Sequence, residues 1–213
     1  TSKIDMPHLK SLILFNASSF IDCIGSHKIE KLTVAEGELQ NYKKYLFHGN
    51  WKEMFGTCDL LKFLQLQNLE RDIDFSDHAF KLSSLMISQL YPKTEFLDKI
   101  FALIKAHKNT LKNISISDGT TYHDAINQEI LSFMLYDMKL EKLSVQNHTT
   151  LSINVIEKKN LTLKTLKLNF SKNFYDVLRT LHAVEDLEVD LNYKPVKAEF
   201  FRFLNDLPML KVL

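Results

Sequence analysis

An apolar residue followed three and five positions later by two more recurs along the whole chain. The first positions are Leu9, Ile29, Leu61, Leu82, Leu111, Leu140, Leu163 and Val184, and a ninth set, Leu210/Leu213, is cut off by the end of the sequence. Residues two apart in a strand share a face, so the second and third members of a set, such as Leu64 and Leu66, point to the same side of one short strand. The sets recur at intervals from 20 residues (Leu9 to Ile29) to 32 residues (Ile29 to Leu61), which is the mark of a repeat architecture with unequal repeats. One strand per repeat requires parallel pairing, with each intervening segment carrying the chain back in a right-handed crossover.

Several return segments show helical spacing. In 94–108 the apolar series is Phe96, Ile100, Leu103, Ile104 and His107; in 123–138 it is Ile126, Ile130, Phe133, Met134 and Met138; in 195–207 it is Phe200, Phe201, Leu204 and Leu207. Thr121 and Asp124 resemble a capping box, and Pro195 suits a first helical turn. A weaker helix is expected over 39–55, with Tyr42, Tyr45, Leu46 and Trp51 inward and a break near His48. These apolar residues and Phe170 read as core. Strands stack about 4.8 Å apart while packed helices need about 8–10 Å. Helices confined to one side therefore bend the array into a horseshoe or arc, strands on the concave face and helices and irregular returns on the convex one. The expected fold is an α/β solenoid, one domain over 1–213 with about eight to nine irregular repeats. A start at Thr1 without Met and the unfinished last repeat mark it as a fragment of a longer chain.

Composition narrows the function. Basic and acidic residues nearly balance, 27 against 26, so no global field draws the chain to phosphate, and neither nucleic acid nor a membrane is expected as a partner. No apolar run approaches the roughly 20 residues a membrane span requires. Cys23 and Cys58 lie outside any metal or disulfide spacing, which fits a reducing, intracellular setting, cytoplasmic or nuclear. Five glycosylation tripeptides, at Asn16, Asn113, Asn147, Asn160 and Asn169, support secretion as the minority reading.

No phosphate loop, zinc-protease helix, nucleophile elbow or Cys-His pairing occurs, so no catalytic residue, metal or cofactor is assigned. Asp72, Asp74 and Asp77 lack the glycine and later glutamate of a calcium loop and read as a polar turn.

The residues between the inward ones point to the other face and define the candidate binding surface. In the first half, Ile13, Phe15, Phe63 and Met86, with Gln65 among them, put apolar groups where a solvated strand prefers polar ones; they are anchors for a partner or lie beneath parts of a longer chain. In the second half, Asp186, Glu188 and Asp190 place three carboxylates about 7 Å apart on one strand face, with Lys142 and Lys167 on neighbouring strands to answer them. That row reads as a solvated acidic edge or as a dock for a basic segment. The expected partner is a protein or peptide on the concave face.

The segments Leu61 to Leu66, Leu140 to Val145 and Leu163 to Leu168 resemble the Leu-x-x-Leu-x-Leu strand of the leucine-rich repeat family. The family's Asn or Cys position is held here by Ala17, Gly37, Leu69, Leu90, Gly119, His148, Ser171 and Asn192, of which only the last conforms. Long repeats with helical returns are more similar to the ribonuclease-inhibitor-like branch, and their irregularity to the repeat domain of F-box proteins. The resemblance implies a non-catalytic substrate-binding region of a ubiquitin ligase adaptor, reaching the ligase scaffold through a segment outside this chain. The alternatives are a scaffold or inhibitor in another multi-protein complex, or a secreted or cell-surface recognition protein.

Overall fold

A computed structural model describes residues 4–5, 7–15, 24–25, 28–35, 51–67, 73, 75–76, 78–90, 94–118, 128–146, 159–169, 174–190, 201–202, 204–205 and 207–212. The chain divides into two compact units, Thr1–Thr110 and Leu111–Leu213. In the first, β2 (Ser11–Phe15), β4 (Lys31–Ala35), β5 (Phe63–Gln67) and β6 (Ser84–Leu90) pair in that order, all parallel. A smaller parallel pair joins β1 (Ile4–Asp5) to β3 (Ile24–Gly25). In the second unit, β7 (Asn113–Asp118), β8 (Lys142–Gln146), β9 (Thr165–Asn169) and β10 (Asp186–Asp190) pair in chain order, again parallel. The fold is α/β, with one strand per apolar set.

Register follows the apolar sets without a slip. Leu12, Leu32, Leu64 and Leu85 are cross-strand partners in the first unit, and Ile114, Leu143, Leu166 and Leu187 in the second. All of these but Leu12 are buried, as are Leu14, Val34, Leu66 and Ile87 on the same side. Fully burying one such side chain contributes about 1.5–3 kcal/mol, so a whole row strongly disfavours the alternative in which the strand flips its faces. The opposite rows carry mostly Ser, Thr, Gln, Asn and Lys, with Ile13, Phe15, Ala35, Phe63 and Met86 among them in the first unit and Asp186, Glu188 and Asp190 in the second. Parallel sheets are ordinarily covered on both faces; the alternation here leaves one face polar.

The backbone junction between repeats is itself repeated. The carbonyl of the residue after each first apolar position accepts two consecutive amides from the next repeat: Lys10 from Glu30 and Lys31, Glu30 from Lys62 and Phe63, and Lys62 from Ser83 and Ser84. In the second unit Lys112, Glu141, Lys164 and Glu185 do the same, the last accepting from Lys211 and Val212. Val212 also bridges Asp186, so the unfinished ninth set begins a further parallel strand.

Among the described residues, four named helices lie in the returns. α1 (Trp51–Thr57) runs two residues past the expected end at 55 and closes where the Thr57 hydroxyl donates to the Met54 carbonyl, 3.0 Å. α2 (Thr94–Ala106) and α3 (Gln128–Tyr136) fall within the expected spans 94–108 and 123–138, and they bury Ile100, Leu103, Ile104, Ile130, Met134 and Met138 near their inner faces. α4 (Phe174–Leu178) was not expected; its buried Phe174, Val177 and Leu178 supply only one turn of apolar spacing. The expected helix over 195–207 is helical at Phe201, Arg202 and Leu204, but Phe201 is 57% exposed, which corrects its assignment to the core. Tyr42, Tyr45, Leu46, His48, Ile126 and Phe170 lie outside the described residues, as do Thr121, Asp124, Pro195 and Phe200 and the side chain of Phe96.

The stretch expected as a polar turn is partly core. Ile73 and Phe75 are buried, and Phe75 joins Trp51, Phe55 and Phe80 in an aromatic cluster with centroid separations of 5.3–5.7 Å through Phe55. Asp72, Asp74 and Asp77 lie outside the described residues. The alternation of Asp with Ile and Phe was a strand-like signal overshadowed by the count of carboxylates.

Candidate functional site

On the polar-facing side of the first unit, register assembles the five predicted residues into adjacent rows. Ile13, Thr33, Gln65 and Met86 form one row; Ser11, Lys31, Phe63 and Ser84 form the row before it; Phe15, Ala35, Gln67 and Ser88 form the row after. Ile13 is 70% exposed and Phe15 62%, both on β2, whose only strand partner among the described residues is β4. Phe63, Gln65 and Met86 are half-buried, and Thr33 lies against Gln65 through a weak side-chain hydrogen bond of 3.4 Å. Ala35 is buried despite its outward register. The result is an apolar shelf, most exposed at β2.

The second unit carries the charged candidates. Glu188 and Lys167 are cross-strand partners and form an ion pair of 2.5 Å. Lys142 shares a row with Asn113, Thr165 and Asp186, two strands from the carboxylate and so roughly 10 Å away by strand spacing. Lys167, not Lys142, is therefore the cation that the structure brings to the acidic row. Asp190 pairs in register with Asn169, and its side chain lies outside the described residues.

Three features escaped the pattern of apolar sets. The residue after each first apolar position alternates in charge: Lys10, Glu30, Lys62 and then Ser83 in the first unit, and Lys112, Glu141, Lys164, Glu185 and Lys211 in the second. Ion pairs join Lys10 to Glu30 (3.4 Å), Lys62 to Glu30 (3.9 Å), Lys112 to Glu141 (3.5 Å) and Lys211 to Glu185 (2.6 Å). The Lys211 hydrogen bond, then its charge and that of Lys164, hold the Glu185 carboxyl below its usual range. At the uncharged step, the Ser83 hydroxyl donates to the Lys62 carbonyl, 3.2 Å. Aligning the sets exposes this alternation in the sequence.

Asn160 is the second. It is 7% exposed; its amide donates to the Leu135 carbonyl at the end of α3, and its side-chain oxygen accepts from the Thr162 and Leu163 amides, 3.0 Å each. An apparent glycosylation tripeptide is thus an internal tie between α3 and the approach to β9, one repeat further on.

The third is a histidine pair. His107, just past the end of α2, is 4% exposed, its ring against those of Phe80 and His78, and its Nε2 has no hydrogen-bond partner among the described residues. Burial, then the nearby His78, lowers its pKa to about 4. His78 Nδ1 lies 2.7 Å from the Phe75 carbonyl. Cys58 is a buried thiol outside any disulfide; burial and then the charge of Asp59 push it up to about 11, well away from a reactive thiolate. Among the described residues no helix is long and apolar enough to cross a membrane, and no three His, Cys, Asp or Glu side chains cluster.

No family model, curated protein or solved structure matches the chain.

Proposed function

We propose that this chain is a non-catalytic protein-recognition module, built as a leucine-rich-repeat solenoid of the ribonuclease-inhibitor-like kind. The reading is supported by one strand per Leu-x-x-Leu-x-Leu set, parallel pairing without register slip, and helical returns of unequal length. The single observation that carries recognition is the exposure of Ile13 and Phe15 on a strand face whose other members are polar or, like Ala35, Phe63 and Met86, at least half-buried. Large apolar side chains left in water on an ordered strand weaken solubility and contribute nothing to the core, so their natural use is as anchors in an interface.

The finer assignment is the target-binding part of an F-box-type ubiquitin ligase adaptor, acting inside the cell. It rests on the irregularity of the repeats, and catalysis belongs to the assembled ligase. Affinity capture from cell extract with the full-length protein, read by mass spectrometry, tests it. Recovery of ligase scaffold subunits, with target proteins lost on Ile13→Ser and Phe15→Ser, supports the adaptor. A different stable complex with the same dependence on Ile13 and Phe15 keeps recognition and replaces the adaptor. Captured proteins indifferent to both substitutions remove this face from the function.

A further inference from the structure

The apolar shelf of the first unit has a charge as well as a shape. In the described stretches 7–15, 28–35, 61–67 and 81–88, Lys10, Lys28, Lys31, Lys62 and Lys81 accompany one carboxylate, Glu30. Glu30 is already shared by Lys10 and Lys62. The turn before Leu61 adds Asp59 and leaves the balance positive. Lys31 is exposed, lies on the same face as Ile13 and Phe15, and sits in register between Ser11 and Phe63, with no ion pair among the described residues. The corresponding stretches of the second unit carry Glu185, Asp186, Glu188 and Asp190 among their lysines, so the basic surplus belongs to the first unit, with Lys31 on the face itself and Lys10 and Lys62 just ahead of their strands.

We infer that the first unit docks an acidic segment with large apolar side chains, held in extended form along β2. This deepens the recognition reading and rests on it. Ile13 and Phe15 are two apart on one strand, so a partner strand meeting them presents its own apolar groups at alternate positions. The acidic groups of the segment meet Lys31 on the face and the Lys10 and Lys62 side chains at its margin. A buried carboxylate needs a cation at that margin, and a basic segment would meet a surplus of like charge. A second copy of this chain fits poorly, because a symmetric contact over Ile13 and Phe15 brings one Lys31 surplus against the other.

The probe is a fluorescently labelled ten-residue peptide alternating glutamate with leucine or phenylalanine, compared by anisotropy with versions carrying lysine for glutamate or serine for the apolar residues. The glutamate peptide binds the intact chain, with affinity falling as salt rises. Ile13→Ser and Phe15→Ser each weaken it at least tenfold, Lys31→Glu several-fold, and circular dichroism melting curves stay unchanged because all three side chains are exposed. Equal binding of the lysine peptide, still lost with Ile13→Ser, overturns the acidic assignment and leaves recognition on this face standing. Absence of binding up to millimolar glutamate peptide, binding untouched by the substitutions, or a dimer in sedimentation that Phe15→Ser dissolves each overturns the proposal. Only captured partners indifferent to Ile13→Ser and Phe15→Ser bring down the recognition reading with it.

Discussion

His107 and Phe80 stack with 13° between their ring planes and 5.5 Å between centroids, and His78 completes a three-ring cluster, 4.7 Å from His107 and 5.0 Å from Phe80. The imidazole is neutral in the fold, with its pKa lowered to about 4 against 6.5 for the unfolded chain. Between those values the unfolded state binds the extra proton, so stability falls as pH drops from 6.5 toward 4 and levels off, for this group, below it. The loss is on the order of 3 kcal/mol. Urea unfolding across that pH window measures it, and His107→Phe, which keeps the stack, is expected to flatten most of the slope.

Asn160 joins the end of α3 to the turn before β9 by three hydrogen bonds. Asn160→Ala leaves a buried carbonyl and two amides without that partner and is expected to cost about 2–3 kcal/mol, read from the urea midpoint. Protein passed through a secretory pathway is expected to carry no glycan at Asn160 in its peptide map. A modified Asn160 would mean that glycosylation had preceded folding.

The charge ladder is worth little per pair, since its members are largely exposed; about 0.2–1 kcal/mol each is the expected range. Glu141→Lys places like charge beside Lys112 and lowers stability by about that amount. Adding Lys112→Glu recovers part of it, and a double-mutant cycle in urea isolates the coupling.

Leu166 is fully buried in the row shared with Leu143 and Leu187. Leu166→Ala is expected to cost about 2–5 kcal/mol, from lost burial and the cavity left behind. Glu188→Gln, by contrast, removes only an exposed ion pair with Lys167 and is expected to move the urea midpoint by less than about 1 kcal/mol.

The strand positions and their facing were legible because each set couples two constraints: apolar residues two apart, and an apolar residue ahead of them. Leu64 and Leu66 had only one way to be buried together. The returns were harder. α1 runs two residues past the expected end at 55, and α4 is too short for its spacing to stand out. Ile73 and Phe75 were hidden among aspartates, although their own alternation was visible. On the candidate face, the outward direction of Ile13 and Phe15 followed from register, whereas the choice of Lys167 over Lys142 as the partner of Glu188 depended on which strands are neighbours. Asn160 was invisible because a tripeptide suited to one chemistry hides a side chain used for another.

At each junction one carbonyl receives two consecutive amides from the next repeat, at Glu30 as at Glu141. Such a joint counts nothing of the chain between donor and acceptor. The path from Ile29 to Leu61 takes 32 residues and that from Leu163 to Val184 takes 21, yet both end in the same clasp. Length is therefore a free parameter of the returns and not of the strands. Material inserted there lengthens a return while the spacing of the strand rows stays in step.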